Sequence, residues 1–136
     1  MKPQKRSWAL LAAWLGAGCA PLPAAPPDSG IEIHGLHLSA HGYVLDMRYR
    51  VRDPARAAAL LDSKKKVTLV DEVRHAQLGV PESPVIGGMR QTSRNHVVYQ
   101  DRDYFILFVN PGRAVRVGDR LQLAVDGREI ARLTVE

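Results

Sequence analysis

Hydrophobic and polar residues alternate along much of the chain after residue 30, and this pattern predicts strands. The clearest run is residues 43–51, in which Tyr43, Leu45, Met47, Tyr49 and Val51 alternate with residues that are mostly charged. A period of two places one set of side chains on a buried face. Residues 31–38 alternate as well, but the phase changes at Gly35. A β-bulge there would return the isoleucines and leucines to one face.

The rest of the chain predicts one helix and further strands. Asp53 suits the N-cap position and Pro54 the first helical position, which predicts a short helix over about 54–62. Residues 67–71 and 74–80 predict two short strands around an Asp71-Glu72 turn. Residues 104–110 are apolar on both faces and predict a central strand. Residues 117–135 predict a hairpin closed by the dipeptide Asp126-Gly127, a strong two-residue turn signal.

Together these segments predict a mainly β fold. Roughly seven short strands separated by turns favour a small Ig-like antiparallel β-sandwich over residues 31–136. The cysteine–tryptophan–cysteine pattern of immunoglobulin domains is absent, so only the general architecture is predicted. Residues 81–102 are weakly patterned, and only residues 96–99 suggest a strand. A stretch of this length is unusual in a compact domain and is either functional or poorly ordered.

The first thirty residues differ from the rest and predict export. Lys2, Lys5 and Arg6 precede an apolar stretch of about a dozen residues, which is too short to span a bilayer but suits the core of a secretory signal. Small residues then lead into Cys19, the only cysteine in the chain. Residues 20–30 are rich in proline, which favours an extended tether.

The run from Leu15 to Cys19 resembles the lipobox of bacterial lipoprotein precursors. Gly16 stands where that motif usually has leucine, with Leu15 one position earlier. The resemblance implies that residues 1–18 are a cleaved signal peptide, that Cys19 is lipidated with acyl chains such as palmitate, and that residues 19–30 tether the domain. Ala20, in place of the aspartate that retains such proteins at the inner membrane, implies an outer-membrane anchor facing the periplasm. The alternative is an ordinary secretory leader cut after a small residue.

Charge argues against a nucleic-acid partner. The 136-residue chain carries 19 lysines and arginines and 14 acidic residues, a net charge of +5. Three of the positive residues lie in the predicted signal peptide, so its removal leaves 16 against 14, or +2. The high isoelectric point therefore belongs partly to the targeting signal. The predicted partners are the membrane, through Cys19, and a protein of the cell envelope.

Two groups of polar residues could form a binding surface. The outward positions of the predicted strand 43–51 and the residue after it form an arginine row. Residues 87–102 combine arginines with groups suited to polar recognition, and binding residues often lie in loops on a rigid scaffold. The alternatives are a solvated sheet face paired with carboxylates such as Glu32, and a mobile surface loop. The candidate residues are Arg48, Arg50, Arg52, Arg90, Gln91, Arg94, Tyr99 and Arg102.

Histidines suggest a second hypothesis, a periplasmic copper or zinc site. A bulge at Gly35 would place His34 and His37 on the same polar face, with His41 in the following turn. The alternative is that these are solvent-facing histidines. No nucleophile elbow, phosphate-binding loop or zinc-protease motif is present in the sequence. We therefore expect no enzymatic activity and no cofactor, with a hydrolase as the remaining alternative.

Overall fold

The computed structural model describes residues 29–136, so the predicted signal peptide and Cys19 lie outside the described residues. Within this part of the chain, nine strands and one α-helix follow each other in sequence. The elements are β1 (Ile31–Ser39), β2 (Val44–Val51), α1 (Pro54–Leu61), β3 (Val67–Asp71), β4 (Gln77–Gly79), β5 (Glu82–Ser83), β6 (Gly87–Gly88), β7 (Asp103–Val109), β8 (Arg120–Val125) and β9 (Arg128–Thr134).

Two antiparallel sheets share one hydrophobic core, which confirms the predicted mainly β sandwich with a short helix. One sheet has the strand order β1-β2-β7 and the other β4-β3-β8-β9, while β5 and β6 form a separate small hairpin. The helix connects β2 of the first sheet to β3 of the second and buries Leu60 and Leu61 in the same core. The largest core side chains come from both sheets and include Met47, Tyr49, Leu69, Ile106, Phe108, Leu121 and Leu123.

The local predictions are largely confirmed. The register of β1 against β2 shifts between Ile33 and Gly35, which leaves His34 as the extra residue of a bulge. The Asp53 side chain accepts hydrogen bonds from the N–H groups of Ala55 and Arg56, as expected of an N-cap. Asp126 and Gly127 close the β8–β9 hairpin with φ angles of 50° and 82°, as a type I′ turn requires.

Three predictions about the strands are wrong. Tyr43 precedes β2 and is 53% exposed, with the guanidinium of Arg113 5.6 Å above its ring, so it is not part of the buried face. The strand β7 lies at the edge of its three-stranded sheet, since β2 occupies the centre. Residues 96–99 form no strand; Val97 makes only an isolated bridge to Arg94.

Candidate functional site

Residues 81–102 are tied to the sandwich by hydrogen bonds, in contrast to a mobile surface loop. The hairpin of β5 and β6 is closed by Met89, whose N–H donates to the Pro81 carbonyl at 3.0 Å. The next residues run beside β7, because the Leu107 N–H donates to the Met89 carbonyl at 2.9 Å. The Gln91 side-chain oxygen accepts a hydrogen bond from the Phe105 N–H at 3.0 Å. This segment therefore lines part of the β7 edge and presents its remaining side chains from fixed positions.

Arg90 is directed inward and holds the end of the helix. Its guanidinium donates to the carbonyls of Leu60, Asp62 and Lys65 at 2.5, 2.8 and 2.8 Å. The last carbonyls of a helix have no partner within the helix, so these bonds satisfy groups that would otherwise need another donor. Burial of this half-buried side chain lowers the pKa of Arg90. Arg90 and Gln91, both predicted as binding residues, therefore support the fold.

Arg94, Tyr99 and Arg102 remain on the surface, and we refer to them as the Tyr99 surface. Arg94 begins a tight turn in which Asn95 and His96 adopt left-handed φ angles of 55° and 60°. Tyr99 is 56% exposed, and the Arg102 guanidinium lies 5.1 Å from the centre of its ring. Neither Arg94 nor Arg102 forms a salt bridge with a carboxylate of the described residues.

The predicted arginine row is instead paired with carboxylates. Arg50 makes two hydrogen bonds to Asp103, at 2.6 and 3.0 Å, and Arg48 makes two to Asp46, both at 2.8 Å. Arg52 bridges Glu32 and Asp101, at 2.6 and 2.7 Å. The hydrogen bond from Arg52 lowers the pKa of Glu32, and the one from Arg50 lowers that of Asp103. This sheet face matches the alternative of a solvated surface neutralised by cross-strand carboxylates.

The three candidate histidines have different neighbours. The bulge places His34 and His37 on the outward side of β1, but they face different carboxylates. The His34 Nε2 atom lies 3.5 Å from Glu32, whereas the His37 Nε2 atom lies 3.6 Å from Glu136. His41 lies in the turn after β1. Within residues 29–136, no group of three or more His, Cys, Asp or Glu side chains could hold a metal ion. The metal-binding hypothesis stays a prediction, which elemental analysis of the isolated protein would test.

Two surface depressions were not predicted from the sequence. The turn of Lys64, Lys65 and Lys66 lines a depression of about 530 Å³ together with Ile86 of the β5–β6 hairpin. At one end of the sandwich, His41 lines a depression of about 500 Å³ with Arg113 and Arg116. Both depend on contacts between segments distant in sequence. The lysine run was visible in the sequence, but its apolar neighbour could not be identified from local pattern.

Comparisons with known proteins identify no relative for this chain. No model of a protein family matches it, and neither does any curated protein or solved structure. Among the described residues, no helix has the length and apolar character that crossing a membrane requires. Information about function is therefore confined to the sequence of residues 1–30 and to the surface of the sandwich.

Proposed function

We propose that the chain is a lipoprotein of the bacterial envelope, anchored at Cys19, whose β-sandwich binds a protein partner. Two features support the anchor: the lipobox-like run that ends at Cys19, and the proline-rich residues 20–30 that would connect it to the domain. Several acyl chains on one cysteine give a stable anchor, whereas a single chain is marginal. The expected location is the periplasmic side of the outer membrane.

The single observation that favours a binding role is the Tyr99 surface. It exposes an aromatic ring and two guanidinium groups without carboxylate partners among the described residues, on a segment fixed by hydrogen bonds. Tyrosine and arginine are enriched at protein interfaces and among the residues that dominate binding energy. A surface that is already ordered loses less conformational freedom on binding. The guanidinium groups favour a partner with an acidic surface.

Photo-crosslinking in intact cells tests this role. A photoreactive amino acid in place of Tyr99 should capture a protein partner. The double variant Arg94→Glu with Arg102→Glu should reduce that capture about tenfold or more, because it places like charges against an acidic surface. The measurement is the yield of the cross-linked species, identified by mass spectrometry.

Tyr43 and Arg113 provide a matched control. Tyr43 is exposed to almost the same extent as Tyr99, 53% against 56%, and also carries an arginine over its ring. The photoreactive residue at Tyr43, and the variant Arg113→Glu, should leave the capture at Tyr99 unaffected. Capture at Tyr43 with none at Tyr99 would contradict the assignment of the surface.

The anchor has its own test. Mass spectrometry of the N-terminal peptide isolated from cells should show Cys19 carrying added acyl mass, and Cys19→Ser should abolish the acyl mass and weaken the membrane association of the protein. An unmodified Cys19 would contradict the lipoprotein proposal and favour an ordinary secretory leader.

A further inference from the structure

The β5–β6 hairpin ends in two adjacent exposed apolar side chains. Val85 is 90% exposed and Ile86 is 69% exposed, and Pro84 before them is exposed as well. Single exposed apolar residues are ordinary on protein surfaces, and Val73 and Val117 are examples in this chain. Val85 and Ile86 differ in being adjacent at the end of one hairpin, and contiguous exposed apolar side chains are typical of interaction sites.

The hairpin holds these two side chains in a defined position. The Ser83 hydroxyl accepts a hydrogen bond from the Val85 N–H at 3.3 Å, and Ser83 pairs with Gly87 across the turn. Gly87 has a φ of 74°, a left-handed conformation that suits glycine after a three-residue loop. The two apolar side chains are therefore part of an ordered turn.

Positive charge lies beside this tip. The depression that Ile86 lines is also lined by Lys64, Lys65 and Lys66, whose side chains are exposed. Arg90 lines it too, and Glu82 is its only acidic lining residue among the described ones. Lys65 has one exposed carboxylate neighbour, with its Nζ atom 3.7 Å from Asp126. The surface beside the tip therefore has an excess of positive charge.

The described chain begins on the same side of the molecule. Ser29 lines a second depression, of about 260 Å³, to which Lys65 also contributes. The carbonyl of Gly30 accepts hydrogen bonds from the N–H groups of Arg52 and Asp53, at 2.8 and 2.9 Å, which fixes where the chain enters the domain. The described part of the chain therefore begins next to the turn of Lys64, Lys65 and Lys66.

We infer that Val85 and Ile86, together with Lys64, Lys65 and Lys66, form a surface that docks on an anionic lipid bilayer. The apolar tip enters the interface between head groups and acyl chains, while the lysines meet the anionic head groups. The inference rests on the proposed anchor at Cys19, which would keep this side of the domain close to the membrane. Docking would orient the sandwich instead of leaving it free at the end of its tether.

Tryptophan fluorescence tests the docking surface on the full chain. Both tryptophans of the chain, Trp8 and Trp14, precede Cys19, so the protein without a substitution supplies the background. Val85→Trp is reconstituted in vesicles of brominated phosphatidylcholine, with and without phosphatidylglycerol. We expect quenching several-fold stronger than for the matched controls Val73→Trp and Val117→Trp, in the vesicles that contain phosphatidylglycerol. High salt should reduce it, because screening weakens the attraction of the lysines.

A second variant separates the roles of charge and apolar contact. Replacing Lys64, Lys65 and Lys66 by glutamine in the Val85→Trp chain should lower the quenching to the level of the controls. Equal quenching at positions 85, 73 and 117 would overturn the inference. An emission shift of the Val85→Trp chain that depends on protein concentration and needs no vesicles would also overturn it, since the tip would then contact a second copy of the chain.

Mass spectrometry of the same reconstituted protein tests the anchor at Cys19. Acyl mass on Cys19 without quenching at position 85 would overturn the docking surface and leave the proposed lipoprotein intact. Quenching without acyl mass would support the docking surface and contradict the anchor.

Discussion

Two stacked tyrosines in the core differ in what their hydroxyl groups contribute to the stability of the fold. The rings of Tyr49 and Tyr104 lie 5.7 Å apart between centroids. The Tyr104 hydroxyl accepts a hydrogen bond from the Tyr99 N–H at 3.2 Å, which links the core to the Tyr99 surface. The Tyr49 hydroxyl is buried without a hydrogen-bond partner among the described residues. Burial raises the pKa of Tyr49, so this hydroxyl remains protonated.

Replacing these tyrosines by phenylalanine should therefore have different effects. Tyr49→Phe removes a polar group that is desolvated without compensation, so it should be neutral or stabilising by up to about 1 kcal/mol. Tyr104→Phe leaves the Tyr99 N–H without its acceptor and should cost about 0.5–1.5 kcal/mol. Urea unfolding of both variants gives the comparison. A greater loss of stability for Tyr49→Phe than for Tyr104→Phe would contradict it.

Among the secondary-structure elements, the junction between α1 and the segment after β6 depends on Arg90. Its three hydrogen bonds reach carbonyls at and after the end of the helix. Arg90→Ala should lower the free energy of unfolding by roughly 1–3 kcal/mol, because hydrogen bonds from a charged group are lost and two partly buried carbonyls lose their donor. Arg90→Lys should recover only part of this, since an ammonium group cannot reproduce the planar geometry of guanidinium.

The neighbouring Arg94 provides the control for this prediction. It is exposed and makes no salt bridge with the described residues, so Arg94→Ala should change stability by less than about 0.5 kcal/mol. Similar losses for the two alanine variants, measured by urea unfolding, would show that Arg90 does not have the structural role assigned to it.

Elements defined by local chemistry were predictable, and those defined by distant partners were not. The alternation in β2, the bulge in β1 and the Asp126-Gly127 turn each follow from residues adjacent in sequence. The edge position of β7 does not, because apolar residues on both faces suit a central strand, whereas in the fold its free edge is lined by Met89 to Gln91. The roles of Arg90 and Gln91 were missed for the same reason.

For the molecule as a whole, charge on the surface could be counted from the sequence but not assigned to partners. The arginine row suggested an anion-binding face, but the fold brings Glu32, Asp101 and Asp103 against Arg50 and Arg52. Sheet pairing therefore neutralises one basic region and leaves the Tyr99 surface and the lysine turn as charged features available to partners. Carboxylates that have fixed hydrogen-bond partners also make the stability of the fold depend on pH.

Asp71 lies at the turn between β3 and β4. We expect its protonation in acid to destabilise the fold more than protonation of the other carboxylates. Asp71 is 1% exposed, and it accepts hydrogen bonds from the N–H groups of Val73 and Arg74, at 2.8 and 2.9 Å, and from the Arg74 guanidinium at 2.9 Å. The Arg74 N–H is the largest cause of its lowered pKa, followed by the Val73 N–H and the positive charge of Arg74. Because the pKa is lower in the folded protein, this stabilisation is present above the ordinary value of 3.8 and is lost as the pH falls through the folded value.

Asp71→Asn should therefore make stability less dependent on pH. The amide oxygen can still accept from the two N–H groups, so the turn is retained, but the ionic bond to Arg74 is lost. At about pH 7 the variant should be less stable than the parent by roughly 1–3 kcal/mol, and the difference should shrink as the pH falls below the ordinary pKa of aspartate. Urea unfolding over this pH range, at low and high salt, provides the measurement.

Asp103→Asn is the control, because Asp103 is 61% exposed and solvent screens its interaction with Arg50. Its effect should be smaller and should decrease with salt, whereas that of Asp71 should persist. A pH profile unchanged by Asp71→Asn would contradict the assignment and place the acid sensitivity in other carboxylates of the fold.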